Sequence, residues 1–328
     1  MGPNARGALV ALAAFGLYAT HDAVVKILGG IYSPVQTIFF STMFSFPLAM
    51  IMIMRDRAPG TLRPVHPGWI AVRTVAGVVT ALTAFYAFSV LPLAQVYTII
   101  FATPLIITIL SIPILGERVR LRRWAAVIVG LMGVLVVLRP GSTELELGHA
   151  AALVAAVGGS LAAIIVRKVG ADERPVVLML YPMVANFVVM GAALGFVYEP
   201  MPVQHVGALA LMAGLGWIGG LCIIAAYKTG EAVVVAPMQY SQIIWATIYG
   251  YLLFSEGVET NTLVGAAIII ASGIYIVARE SRAGGDSNRP VLRSKARVET
   301  GNFPKPPRLP EGRARLSLRG LAGRSAMR

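Results

Sequence analysis

Residues 7–29 read GALVALAAFGLYATHDAVVKILG, and residues 148–170 read GHAAALVAAVGGSLAAIIVRKVG. The two stretches align without a gap at a shift of 141 positions, which pairs Lys26 with Arg167. Each is long enough to cross the hydrocarbon core of a bilayer, which needs about 20 mostly apolar residues. They are therefore interpreted as two membrane helices related by an internal repeat.

Later pairs of residues keep nearly the same shift. Glu117 pairs with Glu256 at 139 positions, and Gly133 pairs with Gly273 at 140 positions. Because the shift varies by only two positions over half the chain, we expect two copies of the repeat, at residues 7–139 and at residues 148–279.

The composition indicates a membrane protein. Hydrophobic residues make up 57% of the 328 and charged residues 13%, whereas soluble domains carry about 25% charged residues. The single cysteine excludes a disulfide within the chain. We find none of the motifs GxxxxGK[ST], HExxH and GxSxG, so no nucleotide motor, metal or other cofactor is expected.

Breaks at charged residues, proline and glycine divide the chain into ten apolar spans. The predicted spans are 8–28, 33–54, 68–90, 94–114, 122–138, 149–167, 176–198, 206–229, 232–254 and 260–278. Each repeat then holds five spans, and an odd number forces the second copy to enter the membrane upside down. The predicted fold is an all-α integral membrane protein of two inverted five-helix repeats, an architecture typical of secondary transporters.

The positions of lysine and arginine predict the orientation, because cytoplasmic loops carry an excess of these residues. With the N-terminus in the cytoplasm, the outer loops hold only Lys26 and Arg139. The inner loops hold Arg55, Arg57, Arg63, Arg118, Arg120, Arg122, Arg123, Arg167, Lys168, Arg174 and Lys228. We therefore expect a multi-pass protein of the cell inner membrane with both termini in the cytoplasm.

The segment 280–328 is rich in proline and basic residues, and we expect a disordered cytoplasmic tail. Its positive charge accounts for much of the net charge of +13. Such a tail favours contact with anionic membrane lipids over nucleic acid.

A family resemblance rests on an ordered series of motifs in the first half. FYAFSVLPLA at 85–94 is followed by Pro104, by Gly-Glu-Arg at 116–118, and by Gly130 and Gly133. This half resembles the EamA domain of the drug/metabolite transporter superfamily. The resemblance implies ten helices, two EamA repeats and transport of small solutes without ATP hydrolysis.

The second half matches the family pattern more loosely. AYKTGEAVVVAP at 226–237 and SEGV at 255–258 carry the match. Ile243 stands where the first half has Pro104, and Ser255 stands where the family pattern has glycine.

The resembled family includes carriers of riboflavin and S-adenosylmethionine as well as amino-acid exporters. The aromatic residues favour uptake of a riboflavin-like solute or another vitamin or nucleoside-type solute. An amino-acid, metabolite or drug exporter and a flippase for lipids or lipid-linked sugars are alternatives. A membrane enzyme is disfavoured because the four histidines are scattered. A proton or another cation is the expected coupling ion, and homodimerisation is left open.

Polar residues late in the first span are the first site candidates. Tyr18, Asp22 and Lys26 follow one another at intervals of four and share a helix face, with His21 on an adjacent face. Asp22 is interpreted either as a proton-coupling carboxylate or as an ion-pair partner of Lys26, with Tyr18 donating to it. His21 is either a proton sensor or a packing residue.

Other candidates lie in the third, fourth, seventh, eighth and ninth spans. Arg73 is expected in the cytoplasmic interface, as an anchor or a substrate contact. Glu117 is expected to pair with nearby arginines. The ninth span carries a row of amides and aromatics that suits either a flat ligand or interhelical bonding. The complete set of further candidates is Tyr86, Gln95, Tyr97, Asn186, Trp217, Gln239, Gln242 and Trp245.

Overall fold

The computed structural model describes residues 2–55, 61–117, 119, 121–139 and 146–282. All regular structure in these residues is helical, which confirms the all-α fold. The α-helices are α1 (Pro3–Gly29), α2 (Pro34–Arg55), α3 (Pro67–Val90), α4 (Leu93–Ile100), α5 (Thr103–Leu115), α6 (Leu121–Leu138), α7 (Leu147–Val169), α8 (Pro175–Val197), α9 (Val203–Thr229), α10 (Ala232–Val235), α11 (Gln242–Phe254) and α12 (Thr260–Arg282). Within the expected tail, residues 283–328 lie outside the described part.

Seven stretches of the described chain are both long and apolar enough to cross a membrane. They are α1, α2 up to Met54, α3, the stretch Leu93–Leu115, α7, α8 and α9, and the shorter apolar helices Arg123–Leu138 and Thr260–Ile276 accompany them. Together with α10 and α11, these stretches of the described chain are consistent with the ten predicted passes. Large side chains such as Phe196 and Leu252 are exposed on the outer surface, as expected where lipid is the solvent.

The fourth and ninth passes are broken, whereas the sequence predicts each as one continuous helix. The fourth pass stops at Ile100 and restarts at Thr103. The ninth pass changes from α10 to a 3-10 turn over Ala236–Ser241 before α11 begins. Proline lies near the start of the segment after each break, at Pro104 and Pro237. Because proline has no N–H and crowds the carbonyl four residues earlier, a helix cannot run through it unchanged.

The two breaks occupy equivalent positions in the repeats. The starts of α4 and α10, the starts of α5 and α11, and the ends of α5 and α11 all differ by 139 positions. The residue after α5, Gly116, has φ +70°, and its equivalent Ser255 has φ +55°. The departure of Ser255 from the family glycine therefore leaves the left-handed helix end in place.

The repeats are interlocked because the first helix of each packs along the third helix of the other. Along α1 and α9, a Cβ added to Gly7 would lie 2.7 Å from Gly230 Cα, and one added to Gly219 would lie 3.0 Å from Tyr18 Cε1. Glycine thus permits this close antiparallel packing. Likewise α3 packs along α7, α2 along α8, and α6 along α12.

We call face 1 the membrane face at which α1 begins and face 2 the face at which α1 ends. The loop between α3 and α4 and the loop between α11 and α12 lie at face 2. The loop between α5 and α6 and the junction between α9 and α10 lie at face 1. These positions follow from counting passes along the chain.

Candidate functional site

A buried carboxylate lies at the contact between α1 and α4. Asp22 is 1% exposed, and its Oδ1 lies 2.7 Å from Nδ1 of His21. The hydroxyl of Tyr97 donates a hydrogen bond to Oδ2 of Asp22. His21, Asp22 and Tyr97 are called the Asp22 cluster below. Seven residues separate Asp22 from the end of α1, which places it about 10 Å below face 2.

Aromatic rings surround the Asp22 cluster. The Tyr97 ring meets Phe88 edge to face at 5.4 Å and Phe101 at 6.0 Å between centroids. The His21 ring meets Phe85 at 6.2 Å. Asp22 is buried among these rings, so its carboxylate interacts with its partners in a medium of lower dielectric constant than water, where electrostatic forces are stronger.

Small residues of α9 make room for the cluster. Gly216 lies beside the His21 ring, since a Cβ there would be 3.6 Å from His21 Cδ2. The neighbouring Gly219 faces Tyr18, which is fully buried. The third helix of the second repeat therefore shapes the space around the candidate site on the first helix.

An ion pair at face 2 joins the two repeats. Nζ of Lys26 lies 2.8 Å from Oε1 of Glu256 and donates to the carbonyl oxygen of Leu91 at 2.5 Å. The other oxygen of Glu256 accepts a hydrogen bond from the backbone N–H of Leu93, at 3.1 Å. Lys26 and Glu256 thus connect the end of α1 with the start of α4 and the loop after α11.

A second ion pair at face 1 also joins the repeats. Nη2 of Arg167 donates to Oε1 of Glu117, and both side chains are buried. The neighbouring Lys168 donates to the carbonyl oxygen of Ile114 at 2.6 Å and lies over the ring of Trp69. Glu117 thus pairs with an arginine, but with one that lies 50 positions away and is not near it in the sequence.

The row of aromatics on α11 packs against α1. Trp245 faces Gly16, where an added Cβ would lie 3.3 Å from Trp245 Cε2. The hydroxyls of Tyr249 and Thr20 are 2.8 Å apart, within hydrogen-bond distance. Gln242 begins α11 as a buried side chain whose Nε2 has no partner in the described chain. The row therefore combines interhelical bonding with one amide donor that is left available.

Comparison with known proteins decides the family. The model of the EamA-like transporter family matches twice, over residues 5–139 and 146–278. The chain belongs to the EamA-like transporter family.

Curated relatives of this EamA protein include two kinds of transporter. An S-adenosylmethionine uptake transporter of Rickettsia bellii is 26% identical over 269 residues, which cover 81% of this chain and 91% of the relative. The pseudopaline exporter CntI of Pseudomonas aeruginosa is 23% identical over 272 residues, which cover 82% of this chain and 95% of the relative.

A solved structure is similar in fold to this EamA protein. It aligns with a TM-score of 0.55 at 19% identity and covers 86% of this chain and 100% of its own. At that identity the likeness concerns the fold alone.

The EamA protein brings together some of the predicted site residues with unpredicted partners. Tyr97, which the sequence did not pair with Asp22, donates a hydrogen bond to Oδ2 of that residue. The ammonium of Lys26 bonds Glu256, whereas the sequence suggested Asp22. Both observed partners are distant in the chain, so helical spacing could not reveal them.

The remaining candidates of the EamA protein differ in burial. Arg73 is 2% exposed and donates to the carbonyl oxygen of Leu178, so its side chain is buried between helices, although the sequence placed it in the cytoplasmic interface. Trp217 packs beside the buried methionines Met179 and Met183. The residues Tyr86, Gln95, Asn186 and Gln239 are half-buried.

Proposed function

We propose that this EamA protein is a secondary transporter, and not an enzyme, that moves a small cationic metabolite across the inner membrane by alternating access. The Asp22 cluster is the observation that carries the proposal. A charge at the centre of a membrane costs from about 3 to over 10 kcal/mol. Asp22 lies in a membrane-spanning helix, so a bound cation or proton offsets that cost.

The chemistry of the cluster suits a positively charged solute. The carboxylate of Asp22 is held by His21 and Tyr97. Its negative charge attracts an ammonium group or a sulfonium. The rings of Phe85, Phe88 and Phe101 lie around the site and favour a cation through their faces.

The substrate class that we propose is an amino-acid-bearing cation such as S-adenosylmethionine. The name of the Rickettsia bellii relative supports this class. Riboflavin has no cationic group to match Asp22, and neither of the two curated relatives described above is named as its carrier. Riboflavin transport remains a prediction from the aromatic residues.

Export of a metabolite is the second candidate function, favoured by the likeness to the pseudopaline exporter. Both directions use the same alternating-access machinery, and the gradients across the membrane decide between them. Lipid or lipid-linked sugar flipping remains a prediction without a further observation in its favour.

The proposed orientation has face 1 in the cytoplasm. The excess of lysine and arginine in the loops assigned to that face supports it, as do the basic residues that follow α12. A proton that binds Asp22 from the outer face and leaves at face 1 is the proposed coupling ion.

Uptake into liposomes that contain the purified full-length protein tests the proposal. We expect saturable uptake of radiolabelled S-adenosylmethionine that rises with an imposed proton gradient and is lost in Asp22→Asn. Glu259→Gln is the matched control, because that carboxylate is exposed and pairs with Arg139 at 3.4 Å near face 2. If no member of a metabolite panel is bound or moved by folded protein, the transport proposal is wrong. If only uncharged solutes are moved, the substrate class is wrong.

A further inference from the structure

The two ion pairs that join the repeats are equivalent to one another. Lys26 matches Arg167 at the repeat shift of 141, and Glu117 matches Glu256 at a shift of 139. In each pair, the basic residue lies on the first helix of one repeat. The glutamate belongs to the other repeat and directly follows the left-handed residue, Gly116 or Ser255. One pair lies at each membrane face.

The pair at face 2 is fully engaged. Besides bonding each other, Lys26 donates to the Leu91 carbonyl oxygen and Glu256 accepts from the Leu93 N–H. The backbone of the α3–α4 junction is thereby held at both ends. At the same face, α1 packs along α3, where an added Cβ on Gly29 would lie 2.5 Å from Ser89 Cβ, and α4 packs along α11.

The pair at face 1 is only half engaged. Oε2 of Glu117 and Nη1 of Arg167 are buried and have no hydrogen-bond partner in the described chain. They correspond to Oε2 of Glu256 and Nζ of Lys26, which bond the α3–α4 junction at face 2. By the repeat, α7 and α9 correspond to α1 and α3, and α10 and α5 correspond to α4 and α11. Among the described helices, α7 does not pack along α9, and α5 does not pack along α10.

The repeat shift names the backbone groups that the two spare atoms would meet. The position equivalent to Leu91 is Gly230, and the position equivalent to Leu93 is Ala232. Gly230 follows the end of α9 and Ala232 begins α10, as Leu91 follows the end of α3 and Leu93 begins α4. The α9–α10 junction therefore carries a carbonyl oxygen and an N–H at the equivalent positions.

We propose that Glu117 and Arg167 are positioning residues that close face 1 by clamping the α9–α10 junction. In that state Arg167 donates to the Gly230 carbonyl oxygen, Glu117 accepts from the Ala232 N–H, and the Lys26–Glu256 pair releases the α3–α4 junction. The described structure, engaged at face 2 and half engaged at face 1, is then the state open towards face 1. This inference rests on the proposed alternating access.

Matched variants at the two faces test whether the two ion pairs alternate in holding their helix junctions. Glu117→Gln keeps an oxygen for Arg167 but turns an amide N–H towards the Ala232 N–H, which disfavours the closed face 1. Glu256→Gln does the same to the closed face 2. The readout is hydrogen–deuterium exchange of the full-length protein in lipid nanodiscs, followed at residues 89–95 and 228–235. If the glutamates had only a structural role, both variants would speed exchange in the same segments.

We expect the two variants to shift exchange in opposite directions. Glu256→Gln should speed exchange at 89–95 and slow it at 228–235, by about fivefold for one lost hydrogen bond. Glu117→Gln should do the reverse. Arg167→Lys should behave as the unaltered protein, because Lys26 makes both contacts with an ammonium, whereas Arg167→Gln should follow Glu117→Gln.

Shifts in the same direction, or none, would overturn the proposal. If one variant fails to fold, the unaltered protein still tests it: exchange at 228–235 must be faster than at 89–95, and equal or slower exchange contradicts the assignment. The measurement needs no substrate. Opposite shifts without any solute transport would support the exchange of ion-pair contacts and contradict the transport proposal. Solute transport with parallel shifts would support the transport proposal and contradict the exchange of contacts.

Discussion

The rings of Phe101 and Tyr240 meet edge to face with centroids 5.1 Å apart, although 139 positions separate them in the chain. That separation equals the repeat shift, so two equivalent residues touch each other and lie on the axis that relates the repeats. Phe46 and Phe187, equivalent at a shift of 141, also touch, at 5.2 Å. Phe101 and Tyr240 both lie at the helix breaks. Broken helices of inverted-repeat transporters mark binding sites near the membrane midplane.

Replacement of Tyr97 by phenylalanine removes the donor to Oδ2 of Asp22 while keeping the ring. We expect kcat/KM for uptake of the cationic solute to fall about tenfold, as for loss of a hydrogen bond to a charged group. Tyr249→Phe is the matched control, since its hydroxyl bonds Thr20 instead of the carboxylate. Equal losses in both variants would contradict a special role of Tyr97.

Gln242→Leu separates substrate binding from packing. The buried Nε2 has no partner in the described chain, and a buried amide without one destabilises the empty protein by about 1–3 kcal/mol. We expect the variant to have a higher Tm without ligand and a smaller rise in Tm when S-adenosylmethionine is added. A lower Tm with an unchanged ligand response would show that Gln242 only packs.

Gly219→Ala tests the close packing of α1 on α9. The added methyl group would lie 3.0 Å from Tyr18 Cε1, and such overpacking costs about 1–3 kcal/mol. Thermal unfolding in detergent should show a lower Tm. Gly214→Ala on the same helix has open space around its Cβ position, so its Tm should be unchanged or higher. Equal effects at both positions would argue against the packing explanation.

Ser255→Gly tests strain at the end of α11. Ser255 has φ +55°, and the left-handed conformation costs a residue with a side chain about 1–2 kcal/mol. We expect this variant to raise Tm and the converse variant, Gly116→Ala, to lower it. The added Cβ at Gly116 meets no atom within 4 Å, so a loss there reports the backbone alone. A Tm that moves the same way in both variants would rule out this account.

The length of the apolar stretches predicts the passes, and the repeat shift predicts the inversion, because both can be read directly from the order of residues. The broken fourth and ninth passes were missed, although Pro104 and Pro237 signalled them. The contact of Asp22 with Tyr97 could not be predicted, because helical spacing gives the face of a residue but not its partner 75 positions away. The Lys26–Glu256 pair was hidden for the same reason, yet the repeat alignment already matched both of its members to those of the other ion pair.

The interlocked packing of α1 on α9 and of α3 on α7 has a consequence for biogenesis. When the first five passes have left the ribosome, the main packing partners of α1 and α3, which are α9 and α7, have not yet been made. The first repeat must therefore wait in the lipid with its small-residue grooves unfilled until the second repeat is inserted. Assembly of the native bundle is completed only after synthesis of α9, and the two repeats form a single folding unit although each matches the same family model.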